Sequence, residues 1–233
     1  MASDHTHRRL VITIDGPAGA GKTTVSRTLA RRLGYRYVDT GALYRAVALA
    51  ALQAGLRSDD DAGLERLCGR LKLAFASAQD GSPRLLSDGI DVSDQIRSPE
   101  VTLMASAVSA RPPVRRGLLR MQRELGREGG AVFEGRDMGT VVFPGADVKF
   151  FLDASPHTRA LRRYAEIHAK TGQSLAEIEA AIRQRDANDR NRELAPLRPA
   201  EDAISVDSTD LTIEQVVEQM LGHVLRKKHQ LSA

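Results

Sequence analysis

Residues 16–23 read Gly16-Pro17-Ala18-Gly19-Ala20-Gly21-Lys22-Thr23 and fill every fixed position of the phosphate-binding pattern GxxxxGK[ST]. Glycines let such a loop curl so that successive N–H groups point inward, and a helix that follows adds its positive end. Lys22 is placed to reach the β and γ phosphates of ATP, and the Thr23 hydroxyl to hold Mg2+. Residues 16 to 24, through Thr24, are therefore the expected ATP site. The loop alone names no reaction, because motors, GTPases and small-molecule kinases share it. No NKxD-type guanine reader accompanies it here.

Three further clusters carry charge in suggestive patterns. Asp39-Thr40-Gly41-Ala42-Leu43-Tyr44-Arg45 begins a helix where open parallel sheets bind ligands, and Arg45 on its first turn is poised for an anion. Glu134-Gly135-Arg136-Asp137-Met138-Gly139 follows a strand, and its glycines allow a sharp turn that presents Arg136 and Asp137 together. Arg185, Asp189 and Arg192 are spaced by four and three, which puts them on one face if the helix runs that far. Each cluster taken singly reads equally well as ordinary surface chemistry: a solvated arginine, a turn with a local ion pair, a helix laced with salt bridges.

The elements that must position these clusters follow from periodicity. Leu10–Ile14 is a short apolar, β-rich run, and Thr23 to Leu33 repeats apolar and basic residues at helical spacing up to Gly34. A second strand is expected over Tyr35–Val38, then a helix from Ala42 to Ala54, with Thr40 as its cap and Gly55 as its stop. Leu71 to Val92 reads as two or three short strands with a hairpin at Asp88-Gly89, set apart from the main sheet. Ser98-Pro99 opens a helical stretch to about Glu128, and strands follow at Ala131–Phe133, Val148–Leu152 and Ala203–Val206. Ser155-Pro156 starts one further helix and Thr212 another, the latter with Gln215 placed for a capping box. Strands that alternate with helices imply an α/β fold: a parallel five-stranded sheet covered by helices on both faces.

Composition bounds the remaining classes. The chain has 233 residues, 42% hydrophobic and 27% charged, with 34 Lys+Arg against 30 Asp+Glu. That is ordinary for a soluble globular protein, and the mild basic excess suits anionic substrates. Aromatic residues make up 4% and tryptophan is absent, which argues against stacking platforms for single-stranded nucleic acid. Cys68 is the only cysteine, so no intrachain disulfide can form, as befits the cytoplasm. No run approaches the length of a membrane span, and residues 1–9 read as a frayed polar tail. No amphipathic surplus calls for a second copy, so a monomer is expected.

Together the clusters resemble one family. GPAGAGKTT, DTGALYRA, SPEV, EGRDMGTVVFP, VKFFLDASP, RDANDRNR and APL are similar, in order, to the motifs of the bacterial cytidylate kinases, from about Leu10 to Met220. The resemblance implies a P-loop core over about residues 9–60, 128–170 and 200–228. It also implies a monophosphate-binding insertion over about 61–127 and an Arg-rich lid over about 171–192, within one kinase domain. It implies transfer of the ATP γ-phosphoryl group to CMP and dCMP, with Lys22, Arg136, Arg185 and Arg192 as the catalytic cations. Arg45, Arg136 and Arg192 would clamp the acceptor phosphate beside Thr40, Gly41 and Tyr44, and Arg185 and Asp189 would touch the pentose. Ser106, Arg115 and Asp137 would read the base. Thr40 stands where a serine is often seen, and Glu134 where some relatives carry aspartate.

The base-reading trio also makes chemical sense by itself. Asp137 can accept from the exocyclic amine of cytosine, Ser106 can assist, and Arg115 can donate to the ring acceptors. Uracil would set a carbonyl oxygen against the carboxylate. Asp15 and Asp153 end two strands and are candidates to orient Mg2+ through water, although no Walker B aspartate stands out. Two alternatives stay open: a P-loop kinase for another small acceptor, and an ATP-dependent nucleic-acid-binding protein. Against the second, Asp186 and Asp189 interleave the arginines.

Overall fold

A computed structural model of the chain describes residues 8–78 and 83–232. In chain order its elements begin β1 (Val11–Asp15), α1 (Lys22–Leu33), β2 (Arg36–Asp39), α2 (Thr40–Gln53), α3 (Asp61–Arg70), β3 (Leu73–Ser77), β4 (Pro83–Ser87) and β5 (Ile90–Asp91). They continue with α4 (Pro99–Val108), α5 (Pro112–Gly126), β6 (Ala131–Glu134), β7 (Val148–Asp153), α6 (Pro156–Thr171), α7 (Leu175–Arg190), β8 (Ile204–Asp207) and α8 (Ile213–Ser232). Residues 1–7 of the expected tail and residues 79–82 of the hairpin region lie outside the described residues. Arg8 and Arg9 do not fray. Arg8 pairs with Asp147 at 2.8 Å, and Arg9 donates to the Gly34 carbonyl at 3.0 Å.

The expected α/β class is borne out. A five-stranded parallel sheet has the order β2-β6-β1-β7-β8. Its centre is β1, flanked by strands from far along the sequence, with Ile14 opposite Glu134 on one side and Asp15 opposite Phe151 on the other. Alternate residues choose opposite faces, as the pleat requires. Ile12, Ile14, Val132, Phe150 and Leu152 are buried with Val25 and Leu29 of α1 and with Val216, Met220 and Val224 of α8. On the other face Gly139 lies against Thr13 and Lys149, and Phe133 meets Phe143 at 4.3 Å between ring centroids. The wide turn over Met138–Val142 covers this side. Parallel pairing brings the carboxyl ends of β1, β6 and β7 side by side, so the loops that leave them must be neighbours.

The framework divides into two compact units, one comprising Met1–Val38 and Gly126–Ala233, the other Asp39–Leu125. The second unit holds the antiparallel sheet β3-β4-β5, and Asp88 (φ 49) and Gly89 (φ 83) make the expected tight turn. α2, which the sequence reading groups with the sheet, packs here. Its Leu43, Val47 and Ala51 are buried with Leu64, Val101, Val108 and Leu118.

Capping chemistry sets several helix starts. Ser98, Ser155 and Thr212 each accept from an amide three residues on, and Gln215 returns the bond to the Thr212 amide. The cap of α2 is a correction: Asp39, not Thr40, accepts from the Ala42 amide at 3.1 Å, and Thr40 is the first helical residue.

At the end of β1 the chain turns through Gly16, whose φ of +147° and proximity to β7 admit no side chain. A Cβ there would lie 1.9 Å from the Leu152 carbonyl oxygen. Gly16→Ala is expected to lower the thermal midpoint by roughly 5 °C or more, since strain of a few kcal/mol shifts a chain of this size by that much. A scan showing an unchanged midpoint would mean that the loop path tolerates a methyl group.

Candidate active site

Lys22 heads α1 and is buried, with its ammonium donating to the Pro17 carbonyl at 2.6 Å. Burial pulls its pKa down to about 7, and the guanidinium groups of Arg136 and Arg185 push the same way against the attraction of Glu134 and Asp15. Four charged residues from three separate motifs therefore feel Lys22. Gly21, with φ +88°, caps the helix without any side chain, which leaves the first amides of α1 free of capping groups. Pro17 and Ala20 are buried, whereas Thr23 and Thr24 face outward. The Thr23 hydroxyl donates to Glu134 Oε1 at 2.9 Å, and the Tyr37 hydroxyl donates to Glu134 Oε2 at 2.6 Å.

The turn after β6 is built on Asp15. Both of its carboxylate oxygens accept from amides, Met138 at 2.9 Å and Gly139 at 2.8 Å. Burial nonetheless raises the Asp15 carboxyl to about 6. Asp15 thus ties the end of β1 to the Arg136-Asp137 turn, a structural role the sequence does not announce. Asp153, the other expected metal orienter, accepts from the Ala154 amide at 2.8 Å and has Arg159 and Arg190 nearby at 3.8 and 3.7 Å.

Asp137 is buried beside this turn, and Arg136 reaches from it to α7. Arg136 Nε donates to Asp189 Oδ2 at 3.3 Å, and Arg192 Nη2 donates to Asp189 Oδ1. One buried carboxylate thereby gathers two guanidinium groups. Arg185 lies one turn before Asp189 on α7. Arg192 is past the end of the helix, which closes at Arg190 with Asn191 as its cap, so the single-face reading holds for Arg185 and Asp189 and not for Arg192.

The remaining expected site residues lie in the second unit. Arg45 Nη2 donates to Asp39 Oδ2 at 2.7 Å, so one carboxylate both caps α2 and aims Arg45. Gly41 permits this pairing, because a Cβ there would come within 3.1 Å of the Asp39 carboxylate and 3.2 Å of Arg45. Thr40 and Tyr44 are buried on α2, and Arg115 of α5 stacks over the Tyr44 ring at 5.8 Å. Arg115 Nη1 also donates to the Ser109 carbonyl at 3.1 Å. Ser106 is half-buried on α4.

A family model described as cytidylate kinase matches residues 12–226. The chain belongs to the cytidylate kinase family. A cytidylate kinase of Citrifermentans bemidjiense is 55% identical over 214 residues, 91% of each chain. One of Geobacter sulfurreducens is 53% identical over the same share, and cytidylate kinase 1 of Haemophilus influenzae is 46% identical over 93% of this chain and 94% of its own. Among solved structures, a gluconokinase of Sinorhizobium meliloti 1021 is similar at a TM-score of 0.49 and 15% identity, over 97% of each chain. Cytidylate kinases are ATP-dependent phosphotransferases that act on CMP and dCMP.

Sequence reasoning missed three contributors. Glu134 was noted only as a variant position, yet its carboxylate touches the Thr23 hydroxyl; its place at the carboxyl end of the strand beside β1 was the available signal. Arg162, which donates to the Ser208 carbonyl at 2.6 Å and to its hydroxyl at 3.1 Å, and Arg159 both look like generic helix cations in the sequence. The oxygen pair of Thr23 and Glu134 suits a hard cation such as Mg2+. No group of three or more His, Cys, Asp or Glu able to hold a metal occurs among the described residues. Mg2+ usually keeps several waters and shares substrate phosphates, so a one- or two-oxygen protein site fits it.

The electrostatics of Lys22 make a signed prediction. Its folded pKa of about 7 lies below the ordinary 10.5, so burying its charge destabilises the fold fully below pH 7, and the cost fades as pH rises toward 10.5. Lys22→Met should therefore raise the thermal midpoint of the nucleotide-free protein at pH 7, with the gain shrinking by pH 10. The Asp15 titration, from about 4 to about 6, lies below this window. Thermal scans of both proteins across pH 7–10 give the answer; a variant less stable than wild type at pH 7 contradicts the reading.

Proposed function

We propose that this chain transfers the γ-phosphoryl group of ATP to CMP and dCMP, giving ADP with CDP or dCDP, through the residues assembled above. The observation that carries the reading is the convergence of cations around Lys22. Arg136 and Arg185 repel it, while Asp189 gathers Arg136 with Arg192. Like charges held this close favour an anion drawn in among them, and phosphate oxygens supply one.

Phosphoryl transfer asks the protein for position and charge rather than covalent chemistry. Amides of residues 16–24 would cradle the ATP phosphates, with Lys22 against the β and γ oxygens. Arg136, bonded to Asp189 and to the Gly135 carbonyl, and Arg192, bonded to Asp189, would turn other N–H groups toward the acceptor phosphate and the charge that spreads over the transferred group. Thr23, with Glu134 behind it, would hold Mg2+, which supplies further neutralisation of that charge. Arg45, aimed by Asp39, adds a third clamp. Arg185 and Asp189 would meet the pentose, and Thr40, Gly41 and Tyr44 would also contact CMP. Residues 171–192 would act as the lid that excludes water, since water is the competing acceptor. Ser106, Arg115 and Asp137 would select cytosine, because uracil leaves a carbonyl facing the Asp137 carboxylate at a cost of about 1–3 kcal/mol.

The same reading makes the protein a monomer of the cytoplasm that acts on free nucleotides. The lone cysteine agrees with a reducing compartment, and no helix among the described residues is long and apolar enough to cross a membrane. The pairing of the 183–192 arginines with Asp189, Asp153 and Glu179 favours a compact anion over a nucleic-acid backbone.

Initial rates with Mg2+, ATP and each of CMP, dCMP, UMP and AMP test the function directly. CMP and dCMP should exceed UMP and AMP by about tenfold or more, and a folded protein inert toward CMP would overturn the assignment. Asp137→Ala should shrink the preference for CMP over UMP by about five- to a hundredfold, the equivalent of that same cost. Arg192→Ala should lower kcat by roughly tenfold or more while the KM for ATP changes little. A defect confined to ATP affinity would move Arg192 out of the acceptor site.

A further inference from the structure

Among the described residues Arg159 of α6 is the largest side chain fully buried, 1% exposed, and the proposed function gives it no contact with a nucleotide. Each of its three guanidinium nitrogens bonds to the protein. Nε donates to the Ala154 carbonyl at the end of β7 at 2.8 Å, and Nη1 donates to the Ala18 carbonyl in the phosphate loop at 3.1 Å. Nη2 donates to Asp186 Oδ2 on α7 at 2.6 Å. The backbone of the same residue forms the floor under the loop. A Cβ on Gly19 (φ +77°) would lie 3.1 Å from Arg159 Cβ and 3.3 Å from its carbonyl oxygen.

Stability alone does not account for this arrangement. α6 and α7 already bury Ala160, Ile178 and Ile182 against each other, with Tyr164 and Leu175 packed alongside. A buried ion pair commonly adds nothing over apolar residues of the same volume. Here the pair also leaves Asp186 Oδ1 buried without a hydrogen-bond partner, a cost the fold carries. What an arginine supplies, and a leucine or lysine does not, is a planar fork with fixed angles. It joins three elements: the loop expected to hold ATP, the end of β7, and the helix whose next turn carries Asp189 with Arg136 and Arg192. Asp186 and Asp189 are separated by less than one turn of α7, so the distance from Ala18 to the arginine cluster runs through Arg159.

We propose that Arg159 is a positioning residue for phosphoryl transfer. Through Ala18 and Asp186 it fixes the arginine-bearing end of α7 against the phosphate loop, and so sets the separation between donor and acceptor phosphates. The inference rests on the reading of Arg136 and Arg192 as acceptor clamps. A misplacement on the order of 1 Å can cost about a hundredfold in rate. Binding of ATP alone needs only the loop, so the effect belongs in kcat.

The test is Arg159→Lys, which keeps the charge beside Asp186 and loses the fork. The thermal midpoint should stay within about 3 °C of wild type. With the preferred acceptor, kcat should fall by roughly ten- to a hundredfold while the KM for ATP stays within about threefold. ATP hydrolysis without acceptor should rise as a fraction of turnover. In an Arg192→Ala background the same change should cost less than about threefold further, because both act on one geometry. A lysine variant that keeps wild-type kcat, or one that loses rate only in proportion to the unfolded fraction, overturns the proposal. So does a fully multiplicative effect with Arg192→Ala. Should the lysine variant fail to fold, Asp186 provides a second arm. Asp186→Asn keeps an acceptor for the guanidinium and should retain about tenfold more kcat than Asp186→Leu, and equal rates for the two again overturn it. Wild-type turnover on CMP tests the parent reading; the ratios among variants test this one.

Discussion

Mutual repulsion among cations is the constraint on which the site depends. Lys22, Arg136 and Arg185 come from three distant stretches of sequence, and the two guanidinium groups make the charge on Lys22 harder to hold. Left to themselves such groups would swing out into water. They remain because carboxylates hold them: Asp189 takes Arg136 and Arg192, and Glu134 stands by Lys22 and Thr23. Buried acids thereby keep cations from distant stretches of the chain in place.

The sheet makes the convergence cheap to specify. With β1 between β6 and β7, the phosphate loop and the Arg136-Asp137 turn leave adjacent strand ends. Asp15 then fastens the second to the first through two amides. A carboxylate in that position has lost most of its water, which is why its pKa rises even though both oxygens are bonded. The loop of residues 16–23 and the Arg136-Asp137 turn therefore share one foundation, and a change at Asp15 would disturb both.

Much of this was legible in the residues. The strand at Val11–Asp15, the loop, the hairpin at Asp88-Gly89 and the caps at Ser98, Ser155 and Thr212 follow from local rules, because each is decided within a few residues. The family could be read from the ordered motifs, with the Arg136-Asp137 turn the most specific of them. Contacts made across long separations in sequence were not legible. Nothing near Asp15 in the sequence shows that Met138 and Gly139, over a hundred residues on, bond to its carboxylate. Arg159 looks like one more basic residue in a helix that also carries Arg162 and Arg163. Arg192 reads as helical because periodicity does not announce that α7 stops at Arg190. Thr40 lost the capping role to Asp39 for a local reason: a carboxylate one position earlier reaches the Ala42 amide and can hold Arg45 as well.

The lowered basicity of Lys22 couples proton traffic to the binding of anions. Burial and the neighbouring guanidinium groups make the Lys22 proton easier to lose than in water, and phosphate oxygens drawn in beside Lys22 would hold it. In the proposed reading, then, the arrival of ATP consumes hydrogen ions from the surroundings and the departure of product returns them. A more alkaline medium would weaken the grip on ATP, with no part of the protein having to change shape.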